Sequence, residues 1–544
     1  MSTSVDRPDD RPDDRPDDRP EDRPTDRASA AGRFDNVPLG AGLVAAVVIG
    51  VATAFSPVLA VAVAVVLVLL LLVFGWRDAL PVLSVALIYS NALVIVSQHG
   101  VVPPGIAVLL VGGLGLTVVR QMLHTKTVPS APPGIVLVLL FAAAQCVDSM
   151  VSVSPARAQS SFIASLTQGI LLAVLIGYAV VETRTMWGIV NSLILVGAIM
   201  GAMSAYQHFT GNYHFTFFGF AQISNAEVDA ASASGGTISQ PRLDGNIGET
   251  NRYAQTLAVL LPLVVARILY TRSVALRLLL IGAGALIGAG VVFTYSRGAV
   301  VAIVALLVTL VVMRWVRLRW FIGALVAGLF VVSFTPGYAD RLSTILTVGG
   351  ATAQAGSSQA ADNAVRGRTT EILAAIGVFA DHPVFGVGSG VFPSVYVKYA
   401  AKVGIRPRLE ERNAHNLYAG IAAETGLLGL TPFLLLLLRL LSGLLTASRE
   451  WATVDRGRAL LARAFFCVVL VYAYSGMFLH LSYVRYFWVL VGLAAAVARL
   501  PDARSRSFES LGWTRRSRSP QDDVGTGTTL DAGATQDART TSGV

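Results

Sequence analysis

Four places in this chain set a cationic or titratable side chain at the edge of an apolar run, and together they suit chemistry on a charged lipid. The fourth in chain order is His415-Asn416, reached after a basic stretch (Arg406, Arg408, Arg412) that breaks an otherwise apolar protein and stops where the next span begins. An imidazole has an ordinary pKa of about 6.5, so it exchanges protons near neutrality and suits a general base. Neighbouring guanidinium groups favour its neutral form, the one a base needs. A lone histidine is more often structural, so its position at the mouth of a span is what singles it out. The third place is Arg366 and Arg368, which precede TTEILAAIGVFADHP. The apolar spacing there (Ile372, Ile376, Phe379) predicts an amphipathic helix lying across the outer membrane face, its N-terminal arginines facing a shared pocket.

The second place is the turn TYSRGAVV. Ser296 is placed to cap the following helix and Gly298 to let the turn close. Arg297 beside that helix N-terminus suits a pyrophosphate, because a guanidinium grips phosphate oxygens in a bidentate way and the helix end presents free N–H groups. A lipid-headgroup anchor explains the same residue equally well. The first place is Arg252 in GETNRYAQTLAVLLPL, where the chain returns into the membrane. Taken alone it reads as an interfacial arginine reaching for lipid phosphates.

The elements that must position these residues are transmembrane helices. The 544-residue chain is 54% hydrophobic and only 14% charged, against roughly 25% for a soluble protein. Apolar runs near the length of a bilayer span recur at about 38–54, 57–75, 79–97, 102–119, 134–152, 162–181, 186–206, 253–270, 278–295, 299–313, 321–336, 416–438, 464–481 and 485–499. The expected fold is therefore all-α: a polytopic bundle of about 12–14 spans over residues 37–499, with outer loops at about 207–252 and 337–415, the latter carrying amphipathic helices. Residues 1–36, with the repeat DRPDDRPDDRP, and residues 500–544 read as disordered tails. No cleavable signal precedes the first apolar run.

Most basic residues flank apolar runs, so the formal charge of +9 points to a membrane protein rather than to nucleic acid. The positive-inside rule puts both termini in the cytoplasm, with Arg120, Arg272, Arg314, Arg456 and Arg463 in inner loops. The arginines at 252, 297 and 366–412 then stand on the outer face as exceptions, and a bound anion is a reason for them. Cys146 and Cys467 lie in apolar runs and read as packing residues, and no DxD-like pair in the outer loops offers a metal site. No cofactor is expected. Glu424, about half a turn out of phase with His415 on a helix, reads as structural.

In this order the NRYA return, the SRGA turn, the arginine before ADHP, GVGSG and the closing HNLYAGIAAETGLLGL resemble the O-antigen ligase and polymerase superfamily of membrane glycosyltransferases, over residues 240–440. The resemblance implies transfer of a glycan from a polyprenyl-pyrophosphate carrier to an acceptor hydroxyl outside the cytoplasmic membrane, with inversion and without metal. It implies that Arg297 and Arg368 hold the pyrophosphate and that His415 activates or positions the acceptor, with Arg252, Arg366 and Asn416 as further substrate-binding residues. The partners it implies are the lipid-linked donor, a glycan or lipid acceptor and membrane lipids. The chain departs from the pattern in its repeat tail, an additional hairpin and Thr369 where an aromatic residue often stands, which leaves the acceptor, and so ligase against polymerase, open. The alternative class is a solute transporter of the bicarbonate type. Ion-coupled transport places ionisable groups at mid-membrane, and the spans hold few, chiefly Asp148, Glu424 and Arg485.

Overall fold

The computed structural model describes residues 78–98, 106–126, 130–223, 242–333, 363–479 and 485–499. The two tails and the predicted runs at 38–54 and 57–75 lie outside these residues. Each of the other twelve predicted apolar runs is helical over most of its length. Six of these helical stretches are long and apolar enough to cross a membrane: Pro155–Ala179, Thr183–Thr210, Thr250–Tyr270, Val274–Phe293, Leu417–Glu450 and Arg456–Ser475. A seventh is the pair Ala79–Tyr89 and Ala92–Gln98, bent by 61° at its break. The protein is an all-α polytopic membrane protein. Its strands, among the described residues, are one short antiparallel pair, Gln222–Ile223 with Leu243–Gly245.

Chain direction explains why the candidate residues share one end of the bundle. The Thr250–Ala258 helix and its continuation Leu261–Tyr270 run away from Arg252, and Val274–Phe293 runs back to the SRG turn. Arg297–Val312 leaves again; Leu417–Glu450 leaves from His415, and Arg456–Ser475 returns beside it. At the opposite end Asp455 caps the Arg456–Ser475 helix, accepting from Gly457 N at 2.9 Å and Arg458 N at 3.1 Å. Arg456 there reaches the Leu269 carbonyl. Arg458 there lies over the Trp451 ring at 4.4 Å and pairs with Asp455 at 3.3 Å.

The segment predicted to lie outside differs in detail from its prediction. Its helix runs Asn363–Asp381, so Arg366 and Arg368 lie within its first turns rather than before it. A second amphipathic helix, Phe392–Val403, lies between GVGSG and the basic stretch, where sequence reading set no bounds. Pro393 starts it, and it buries Tyr396, Tyr399 and Ala400 against the first helix.

Candidate functional site

His415 and Asn416 sit at the head of the Leu417–Glu450 helix. Asn416 is its N-cap: its Oδ1 accepts from Ala419 N at 2.9 Å, and its Nδ2 donates to the Met477 carbonyl at 3.0 Å. The preceding residue pays for this sharp entry in backbone strain, since His415 has φ +46°, a left-handed conformation uncommon for a side-chain-bearing residue. That conformation turns the imidazole toward the Asn363–Asp381 helix. His415 Nε2 stands 3.7 Å from Glu371 Oε2, and the Glu371 side chain is only 3% exposed.

Glu371 is the residue sequence reading missed. It falls on the polar side of a helix read only for its apolar face. Burial pushes its carboxyl up to about 7, against the opposing pull of Arg408, Arg412 and Arg368. Three guanidinium groups therefore act electrostatically on one buried carboxyl, Arg368 among them. The Arg408 guanidinium lies against Gly367, where a Cβ would stand 3.3 Å from it. Arg366 is buried (4% exposed) and donates to the Ile405 carbonyl at 3.0 Å. Together with the Arg406 N to Thr370 Oγ1 bond at 3.1 Å, this pins the basic segment along the helix.

A broken span seats this assembly. Gly426, inside the Leu417–Glu450 helix, has φ +60° and ψ −159°, which opens the helix for one turn. The loop HPVFGVGS fills the opening: Val387 N and Gly388 N donate to the Ala423 and Glu424 carbonyls at 3.0 and 2.8 Å, while Leu427 N and Leu428 N donate to the Pro383 and Val384 carbonyls. A Cβ on Gly386 (φ +68°) would lie 2.3 Å from the Glu424 backbone, so the docking requires glycine. Asp148, fully buried, takes Ser389 N at 3.1 Å and Ser389 Oγ at 2.9 Å. GVGSG is thus a seat for backbone, not a phosphate loop, and the Glu424 carbonyl is one of its anchors.

The second group gathers around Arg252 and Arg297. Ser296 caps the Arg297–Val312 helix as the sequence predicts, accepting from Ala299 N at 3.4 Å. The positive φ of the turn belongs to Tyr295 (+51°) rather than to Gly298. Gly298 is small for a different reason: a Cβ there would meet Phe478 Cβ at 3.1 Å. Ser296 Oγ donates to Asn251 Oδ1 at 3.0 Å, and Arg242 bridges Asn251 Oδ1 and the Thr294 carbonyl. Arg252 is paired with Glu249 at 3.0 Å. The two turns that carry Arg252 and Arg297 are therefore locked side by side.

One turn touches both groups. Ser475 Oγ accepts from Gln255 Nε2 at 2.6 Å, the Gly476 carbonyl accepts from Leu417 N at 2.7 Å, the Met477 carbonyl accepts from Asn416, and Phe478 packs on Gly298. The segment 475–478 carries no charge, so nothing in the sequence marks it, yet it joins the arginine turns to the histidine. The arrangement offers guanidinium groups and a helix N-terminus for an anion beside an imidazole with a carboxyl behind it.

Residues 282–434 match the family model for O-antigen ligase. This match contains Arg297, Arg366, Arg368, Glu371, His415 and Asn416; Arg252 and the 475–478 turn lie outside it. No curated protein matches the chain.

Proposed function

We propose that this chain, whose residues 282–434 match the O-antigen ligase family, transfers a glycan from a polyprenyl-pyrophosphate carrier to an acceptor hydroxyl at the outer face of the cytoplasmic membrane, both termini being cytoplasmic. The observation that carries this reading is the pairing of His415 with the buried Glu371 on the end of the bundle that also holds Arg252 and Arg297. In it the acceptor oxygen attacks the anomeric carbon, the bond from that carbon to the pyrophosphate breaks, and the hydroxyl proton passes to His415. The carrier leaves as polyprenyl pyrophosphate, and one displacement inverts the centre. Arg297 and Arg368 take up the negative charge that grows on the leaving group, helped by the Arg297–Val312 helix N-terminus, where fixed donors act without reorganising. Arg252 extends the cradle. Arg366 and Asn416 serve by position, the first by holding the basic segment and the second by capping the helix behind His415.

Transfer from a polyprenyl-linked oligosaccharide, assayed with purified protein and separate lipid and glycan acceptors, tests this reading and tells ligase from polymerase. His415→Ala and Arg297→Ala are each expected to lower the rate by about 10²–10³-fold while leaving the protein monodisperse. Full transfer by either folded variant would sink the assignment. Solute uptake by liposomes containing the protein, in the absence of any glycan donor, would favour the transporter class instead.

A further inference from the structure

Away from His415, three irregularities converge on one cavity of about 460 Å³, within the roughly 300–1,000 Å³ typical of small-molecule sites. The first is the break between Ala79–Tyr89 and Ala92–Gln98. The second is a π-helical segment, Leu166–Ile170, inside the Pro155–Ala179 stretch, a distortion frequent at functional sites. The third is Arg485, at the start of the Arg485–Arg499 helix, which closes one side of the cavity. The walls are largely hydrocarbon, including Ile88, Val111 and Leu171, with Asn91, Gln168 and Arg485 as polar groups.

The guanidinium is held in place. Asn91 occupies the left-handed conformation (φ +58°) in the helix break, and its Oδ1 accepts from Arg485 Nη2. Its Nδ2 donates to the Asn246 carbonyl at 2.7 Å, and Asn246 in turn donates to the Ser90 carbonyl at 2.6 Å. The Ser90 carbonyl in the break is thus satisfied, and an asparagine in the left-handed conformation aims an arginine. Irregular backbone at membrane depth persists where it is enclosed by protein or lines a cavity. None of the described residues lining this cavity is acidic, so among them the guanidinium faces no carboxylate.

We propose that this cavity binds a lipid carrying a phosphate headgroup, with the hydrocarbon chain between Ile88, Val111 and Leu171 and the phosphate on Arg485. Apolar walls with a single preorganised guanidinium select a chain and an anion in one molecule. Membrane phospholipids and polyprenyl phosphates share that chemistry. The proposal stands whether or not the transfer reaction does.

Photolabelling of the full-length wild-type protein in nanodiscs tests it. The probe is phosphatidylglycerol with a diazirine in its acyl chain, and labelled peptides are mapped by mass spectrometry. Labels are expected within 87–111 and 167–172, displaced by excess polyprenyl phosphate or by excess unlabelled phosphatidylglycerol, but not by neutral diacylglycerol. Whichever anionic lipid displaces at the lower concentration identifies the occupant. Arg485→Ala is expected to lower labelling there by about tenfold, with Arg485→Lys in between. Displacement by diacylglycerol as effective as by the phosphate lipids, or labels confined to the outer surfaces of other helices, would overturn the proposal, and neither outcome depends on a variant folding.

Discussion

The two halves of the candidate site are built by opposite means. The arginine half is built from helix ends: Arg242, Asn251 and Ser296 interlock through hydrogen bonds of 3.0–3.3 Å, and Arg252 and Arg297 are carried on those ends. The histidine half is built from a helix side and a seated loop: Glu371 comes from the flank of one helix, His415 stands at the head of another, and the loop between them in sequence docks into a broken span. An anion cradle is a property of helix termini, whose free donors are exposed wherever a helix begins. An acid–base pair needs a carboxyl taken out of water and held at a set distance, and that requires tertiary packing.

The comparison breaks most visibly at Gly386. Its φ is +68°, and the Glu424 backbone lies 2.3 Å from where a Cβ would stand, which leaves no room for a side chain. Gly386→Ala is expected to cost about 2–5 kcal/mol through strain and overpacking. Hydrogen exchange separates the halves: protection should fall across 383–428 and persist across 250–300. Equal loss in both would show that the two halves open as one unit.

Glu371→Gln sharpens the contrast at a smaller scale. With a carboxyl near 7, wild-type transfer should rise as pH passes through about 7 and Glu371 ionises to hold His415. The variant should lose that limb and about tenfold in rate near pH 8, less than the ~10²–10⁴-fold contribution of a general base. Stability moves the other way. The folded carboxyl at about 7 lies above its ordinary value, so between about 4.5 and 7 the folded state keeps a proton the unfolded chain has lost. Stability from this group is therefore fully present at low pH and lost as pH rises through 7; the neutral variant should unfold no lower than wild type at pH 8. A residue of purely structural value would give a parallel drop in stability and no change in the shape of the pH profile. Arg297→Ala, by contrast, should scale activity down at every pH.

The same division governs what was legible in the sequence. Spans, the Ser296 cap and the arginines at 252 and 297 follow from hydropathy and helix-end chemistry, which act over a few residues. Arg368 and His415 stand out because charge at the edge of an apolar run is costly and needs a reason. Glu371 does not stand out, because an acidic residue on an amphipathic helix ordinarily faces water, and only tertiary packing around this helix removes that water. Gly426 reads as one small residue among many in TGLLGL; its role as the opening for HPVFGVGS depends on a loop that packs from elsewhere. The Phe392–Val403 helix hides for the same reason, since its two tyrosines face a partner helix rather than lipid.

The smallest expected effect lies where the histidine half is fastened at its rim. Arg157 reaches from the Pro155–Ser165 helix to the Gly390 carbonyl at 2.9 Å and grips Glu411 through both guanidinium nitrogens, at 3.1 and 2.9 Å. The Arg157 hydrogen bonds hold the Glu411 carboxyl below its ordinary range. Both side chains are substantially exposed, at 38% and 55%, so solvent screens the pair. Glu411→Gln is expected to cost about 0.2–1 kcal/mol at neutral pH. Because the folded carboxyl is the more acidic one, this contribution is present above the ordinary carboxylate range and disappears as pH falls through it, and added salt should weaken it. A thermal midpoint that separates the variant from wild type at pH 7 and low salt, and converges with it at pH 3 or in high salt, fits a rim clasp. A larger loss, insensitive to salt, would mean that Arg157 acts through Gly390 and the seated loop, making the rim part of the same tertiary device that brings Glu371 to His415.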